Sequence, residues 1–181
     1  EEVIHIVKRG MEKQKLEQEN IQLREAISIY AMSEALTRTL ELDRILEIII
    51  DTALKESGAD VAILLLKEGG DTFVEKMRRS ASGKDQFSEE FNHAELLGHY
   101  QEERPVLYHG ARSERFFVKL PNGRPPVSFI SVPLKVRREI IGMLNLYTVQ
   151  PGHRFSEGQR KMISILADRA STAIDNARLF S

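Results

Sequence analysis

The run from Val127 to Thr148, VSFISVPLKVRREIIGMLNLYT, limits what this chain can fold into more than any other stretch. In an extended chain Val127, Phe129, Ser131 and Pro133 fall on one side, and Ser128, Ile130, Val132, Leu134 and Val136 on the other. The polar triplet Arg137-Arg138-Glu139 interrupts the run, and Ile140 to Tyr147 is apolar again apart from one Gly and one Asn. Two β-rich runs joined by a few charged residues predict a hairpin. Both halves are too apolar for a sheet with one wet face. The hairpin is therefore expected at the centre of an antiparallel sheet whose two faces are largely covered.

Around that centre, 181 residues suffice for one full core with residues to spare. An apolar share of 41% beside 29% charged residues fits a globular protein carrying a long solvated helix. The net charge of −1 argues against general binding to nucleic acid or to anionic membranes. The absence of cysteine removes disulfides, thiolate metal sites, cysteine nucleophiles and thioether-linked chromophores. No apolar run approaches the roughly 20 residues of a membrane-spanning helix. The start, EEVIHIVKRG, has no signal-peptide character, so a cytoplasmic protein is expected. Both ends fall inside helical patterns, as in a piece of a longer protein.

Residues 1 to 40 read as one long helix, with Gly10 as its single glycine. In LEQENIQLREAISIY, Leu16, Leu23 and Tyr30 take the d positions of a heptad and Asn20 and Ile27 the a positions. Leu at d with one Asn at a predicts a parallel two-stranded coiled coil, the Asn fixing register because it is satisfied only opposite its twin. These five residues are the expected homodimer interface. The competing reading is a lone amphipathic helix lying on its own domain. Upstream, Val3, Ile6, Val7 and Met11 mark a different apolar stripe. Leu36 and Leu40 belong to a second helical segment. Glu41-Leu42-Asp43 then predicts a break, with Asp43 capping a helix from Arg44 to Ser57.

Gly58 stands where a left-handed C-terminal residue belongs. Val61 to Leu66 predicts a buried strand, Glu68 to Asp71 a turn, and Thr72 to Ser80 a more exposed strand. Ser88 to Tyr100 predicts a helix with Phe91, Leu96 and Leu97 inward, and Pro105 to Tyr108 a short strand. His109 to Pro126 predicts a long loop with one helical turn, the kind of segment that often serves as a lid. Ser156 is expected to cap a final helix through Phe180, with Met162, Ile165, Leu166, Ala170, Ala173, Ile174 and Leu179 on its apolar stripe.

SVPLKVRREIIGMLNLY followed by FSEGQRKMISILADRASTAIDNARLF, together with LDRILEIIIDTALKESGADVAILLL, resembles GAF domains, the small-molecule sensory modules of signalling proteins. The resemblance covers about residues 30 to 181. It implies an α+β sandwich with a five- or six-stranded antiparallel sheet, helices on one face, and a ligand cavity under the irregular segment on the other. EEVIHIVKRGMEKQKLEQENIQLRE resembles the last helix of a response-regulator receiver domain running into a coiled linker; an ordinary N-terminal extension is the alternative. The domain division expected is thus a signalling helix over 1–30 and a GAF domain over 31–181.

No enzyme chemistry is expected. His93-Ala94-Glu95 has the spacing of zinc deaminases without their cysteine pair. Gly69 to Phe73 resembles the hairpin motif of diguanylate cyclases, but Thr72 stands where a carboxylate belongs. The cyclic-nucleotide binders of the GAF family carry Asn-Lys and Asp-Glu pairs that Asn145-Leu146 and Ser156-Glu157 do not match. The bilin-attaching cysteine is missing, and no histidine stands out as a haem ligand. If a small molecule binds, the resemblance places it between the sheet and residues 109 to 127. Phe116 and Phe117 would close over it, Arg112, Arg115 and Arg124 would meet an anionic group, and His109 and Ser128 would lie at the rim. The function expected is a sensory or relay module of a phosphorelay protein, homodimeric through its N- and C-terminal helices and flanked by receiver and output domains. The alternatives are a structural dimerisation spacer with a filled pocket and, third, an enzyme of the same fold.

Overall fold

The computed structural model describes residues 1–84 and 86–178, with the side chains of 30–40 outside the described set. One helix, α1, runs from Glu2 to Ser57 without interruption. The break expected at Glu41-Leu42-Asp43 is thereby corrected. Asp43 suits an N-cap, but Leu42, Ile45, Leu46, Ile49, Ile50 and Ala53 keep one helical stripe against the core across it. A continuous buried stripe outweighs a local capping preference. The helix stops at Gly58, whose φ of 67° turns its N–H back to Leu54 O at 3.0 Å. The expected inward positions Leu36 and Leu40 lie outside the described side chains.

Five strands follow the expected order: β1 (Val61–Lys67), β2 (Phe73–Ser80), β4 (Val106–His109), β6 (Ser128–Val136) and β7 (Glu139–Thr148). They form one antiparallel sheet in the order β2-β1-β7-β6-β4, so the hairpin β6–β7 occupies its middle. The two residues of its turn, Arg137 and Arg138, both have positive φ (51° and 69°), the primed geometry that matches strand twist even though no glycine is present. At Gly142 on β7 a side chain has no room: an added Cβ would lie 2.4 Å from Leu65 O of β1.

Strand alternation divides the interior in two. Ile130, Val132, Leu134, Leu144 and Leu146 face the C-terminal part of α1 and the final helix α3 (Glu157–Arg178). Ser156 caps α3 as expected: its Oγ accepts from Gln159 N at 3.1 Å and its N–H donates to Gln159 Oε1 at 2.9 Å. Gln159 Nε2 also donates to Ser57 O at 3.1 Å, so α3 starts where α1 ends and the two run antiparallel. The stripe of α3 needs correction. Ala170 and Ile174 are buried as expected, but their companions are Ile163, Ala167 and Ala177. Met162, Leu166 and Ala173 are half-buried, and Ile165 is 56% exposed. The smaller face turns inward because it lets the helix approach α1 and the sheet closely. Leu179 and Phe180 lie outside the described residues.

The second face carries Val61, Ile63, Phe129, Met143 and Tyr147. It is covered by a two-residue strand β3 (Glu90–Phe91), helix α2 (His93–Gln101), a 3-10 segment (Gly110–Phe116) and strand β5 (Phe117–Lys119) paired with β3. Asn92 caps α2, its Oδ1 accepting from Glu95 N at 3.2 Å. Phe91 points inward as expected, but from a strand. Among the described residues no helix is long and apolar enough to cross a membrane, and no cluster of acidic and histidine side chains is placed to hold a metal.

Candidate functional site

Between the sheet and its second cover lies a packed aromatic layer. Phe116, fully buried, meets His99 edge-on with ring centres 4.9 Å apart, Tyr108 at 5.0 Å and Phe129 at 5.8 Å. Phe117 lies 5.0 Å from Phe129 and 5.2 Å from Phe91. These separations are those of rings in contact. Among the described residues these rings fill the space between Phe129 and the 3-10 segment.

The seven expected ligand residues do not converge. Phe116 and Phe117 face the sheet from the lid. Ser128 points to the other side, because it alternates with Phe129; its Oγ accepts from Phe155 N at 3.1 Å and lies 2.9 Å from His109 Nδ1. Burial, and then the charge of Arg154, lowers the pKa of His109. Ser128 and His109 thus form a strut at the strand end and share no rim with Phe116. Arg112 and Arg124 are exposed. Arg115 reaches Glu95 at 3.4 Å and lies over the Phe116 ring, 5.3 Å from its centre, from the solvent side.

The structure instead gathers residues that the sequence reading did not single out. Tyr100 of α2 bonds Ser131 of β6, whose Oγ is 2.5 Å from Asn145 Oδ1 on β7. All three are nearly or fully buried, and the Asn145 Nδ2 has no partner among the described residues. Such a donor costs about 1–3 kcal/mol. The available signal was Asn145 itself, the one amide in an otherwise apolar strand. Nearby, the buried Glu89 carboxylate accepts from Tyr147 Oη at 2.7 Å and pairs with Arg78. Burial pulls the Arg78 pKa down, but its bonds to Glu89 and Glu75 outweigh that and the net shift is upward. This pair ties the segment after β2 onto the central strand.

The expected dimer residues lie elsewhere. Residues 1–29 of α1 are exposed throughout. Leu16, Leu23 and Ile27 are 63%, 60% and 65% exposed, and Asn20 lies in the same exposed stretch; the Tyr30 side chain is outside the described set. Further down the same helix Ile48 is 57% exposed, seven-residue steps from Asn20 and Ile27, and Ile165 adds an exposed apolar residue on the neighbouring α3.

A family model described as GAF domain matches residues 39–175. Among solved structures, the blue-light absorbing form of the Thermosynechococcus elongatus PixJ GAF-domain aligns with TM-score 0.60 at 14% identity, covering 80% of this chain and 90% of that one. The GAF domain/HD domain protein from Geobacter sulfurreducens aligns with TM-score 0.59 at 14% identity over 76% of this chain and 94% of its own. The GAF domain from Acinetobacter phosphoenolpyruvate-protein phosphotransferase aligns with TM-score 0.55 at 22% identity, over 80% and 96%. At such identities the likeness is one of fold.

Proposed function

The chain belongs to the GAF domain family, whose members are sensory and regulatory modules of signalling proteins, and we propose that it acts as a helical relay within a two-component protein. The observation that carries this reading is the exposed apolar seam, Leu16, Leu23, Ile27 and Ile48, on a helix whose last turns are buried in the core. A parallel homodimer covers that seam and gives Asn20 its twin. α1 and α3 are antiparallel, so the N-terminal extension and the end of α3 leave the domain on the same side. A change in how the paired α1 helices pack shifts the population of α3 arrangements, which a following output domain reads. The filled aromatic layer favours a signal arriving along α1, from a receiver domain, over one from a molecule under the lid.

Sedimentation equilibrium at micromolar concentration tests this. The expected mass is twice 20.7 kDa, falling to the single value in a Leu23→Asp, Ile27→Asp protein that keeps its fold. Because the chain has no cysteine, Asn20→Cys is expected to crosslink two copies under mild oxidation. A wild-type monomer at high concentration defeats the reading.

A further inference from the structure

Strand β4 begins only at Val106, which pairs with Ser131, while β6 continues past Ser131 to Val136. The notch left at the sheet edge opens into a cavity of about 300 Å³. We infer that this notch binds a small organic anion, its acidic head among Arg104, Lys135 and Arg160 and its apolar body against Pro105, Val106 and Pro133. The cavity straddles the sheet edge: Tyr100 and Ser131 reach it from the lid side, and Arg160 and Ser164 from α3 on the opposite face.

Three features point to an anion. Lys135 has no carboxylate partner among the described residues. Arg104 reaches Glu102 at 2.6 Å, and Arg160 reaches Glu157 at 2.6 Å and Ser164 at 3.3 Å, which leaves donors of both five-donor guanidiniums unused. Glu103 is the single carboxylate in the lining, and its residue is exposed. Polar capacity continues inward. Tyr100 and Ser131 line the cavity, and behind them Asn145 holds the unpartnered Nδ2. The volume lies at the lower end of small-molecule sites, and the combination of an apolar wall with a few converging polar groups is what such sites use. Because Arg160 and Ser164 belong to the first two turns of α3, an occupant bears directly on that helix. The binding itself stands or falls independently of the relay.

The probe is benzoate, titrated into the ¹⁵N-labelled 181-residue chain with benzamide and inorganic phosphate as comparisons. Benzoate is expected to shift the amides of Arg104, Val106, Lys135 and Ser164 and to saturate with a Kd of about 1 mM. Benzamide, the uncharged counterpart, is expected to bind about tenfold more weakly. Lys135→Gln, at an exposed position that leaves the fold intact, is expected to weaken benzoate about 3–10-fold. Equal binding of benzoate and benzamide, shifts centred elsewhere, or a Lys135→Gln protein that binds benzoate like the parent overturns the assignment. Phosphate that binds as tightly as benzoate overturns the part played by the apolar wall.

Discussion

Replacing Phe116 by Ala tests whether the space under the lid is full. The ring is completely buried and touches His99, Tyr108 and Phe129. Removing it empties roughly 100 Å³, which at ~24 cal/mol per Å³ of unrelaxed cavity costs about 2.4 kcal/mol. The lost transfer of the ring from water adds about 2 kcal/mol. The total of about 4 kcal/mol sits inside the range of about 3–5 kcal/mol for buried Phe→Ala. In a domain of this size it lowers Tm by about 10 °C. Urea unfolding followed by far-UV circular dichroism reads it directly, with an unchanged slope showing that only the native state was affected. Dimer mass is expected to stay at the parent value, because Phe116 is remote in sequence and layer from the α1 seam. A loss below about 1 kcal/mol refutes the packing described here, since a ring so cheaply removed lines an open hollow. The lid would then regain its standing as a ligand site.

Gly142→Ala pushes a Cβ to 2.4 Å from Leu65 O; backbone on β1 must move, and a loss of about 3 kcal/mol or more is expected in the same unfolding assay. Arg78→Ala strands the Glu89 carboxylate, whose side chain is fully buried, and is expected to cost about 3–5 kcal/mol. Burial lowers the pKa values of His93, His99 and His109 below 6.5. The unfolded chain therefore binds more protons just below that value, and stability is expected to be full above pH 6.5 and to fall as pH drops through the depressed folded values. Thermal melts from pH 7.5 to 5 check this, with His99→Gln flattening the slope. Asn20→Leu is expected to raise the melting temperature of the dimer while broadening its oligomer distribution by native mass spectrometry.

The sheet was legible because its pattern is local. Alternation in Val127 to Thr148 assigned Ile130 and Leu134 to one face and Phe129 to the other, and the structure keeps that division. Gly58 and the Ser156–Gln159 cap were readable for the same reason: each depends on a few adjacent residues. The phase of α3 was not. Ile165 looks like a core residue by hydropathy, yet Ala167 and Ala170 take the interior beside Ile163 and Ile174, a face whose small residues let α3 lie close to α1. Asp43 looked like a cap, and only the packing of Leu42 and Ile45 on the sheet carries the helix through it.

The placement of the expected site residues has a reason of the same kind. The GAF resemblance placed Phe116, Phe117, Ser128 and His109 around one space between the sheet and residues 109 to 127. A strand sends neighbouring side chains to opposite faces, so Ser128 joined the α3 side while the phenyl rings filled the lid. Conversely Tyr100, Ser131, Asn145 and Arg160 are far apart in sequence and meet only where β4 and α3 begin. Local periodicity thus determined the strands, the caps and the exposed seam of α1, since those follow from backbone geometry and the side chains on it. Which face of a helix is buried, which hollow is filled, and which distant polar groups converge was decided by the tertiary structure, because each depends on the distance between elements that no stretch of sequence contains.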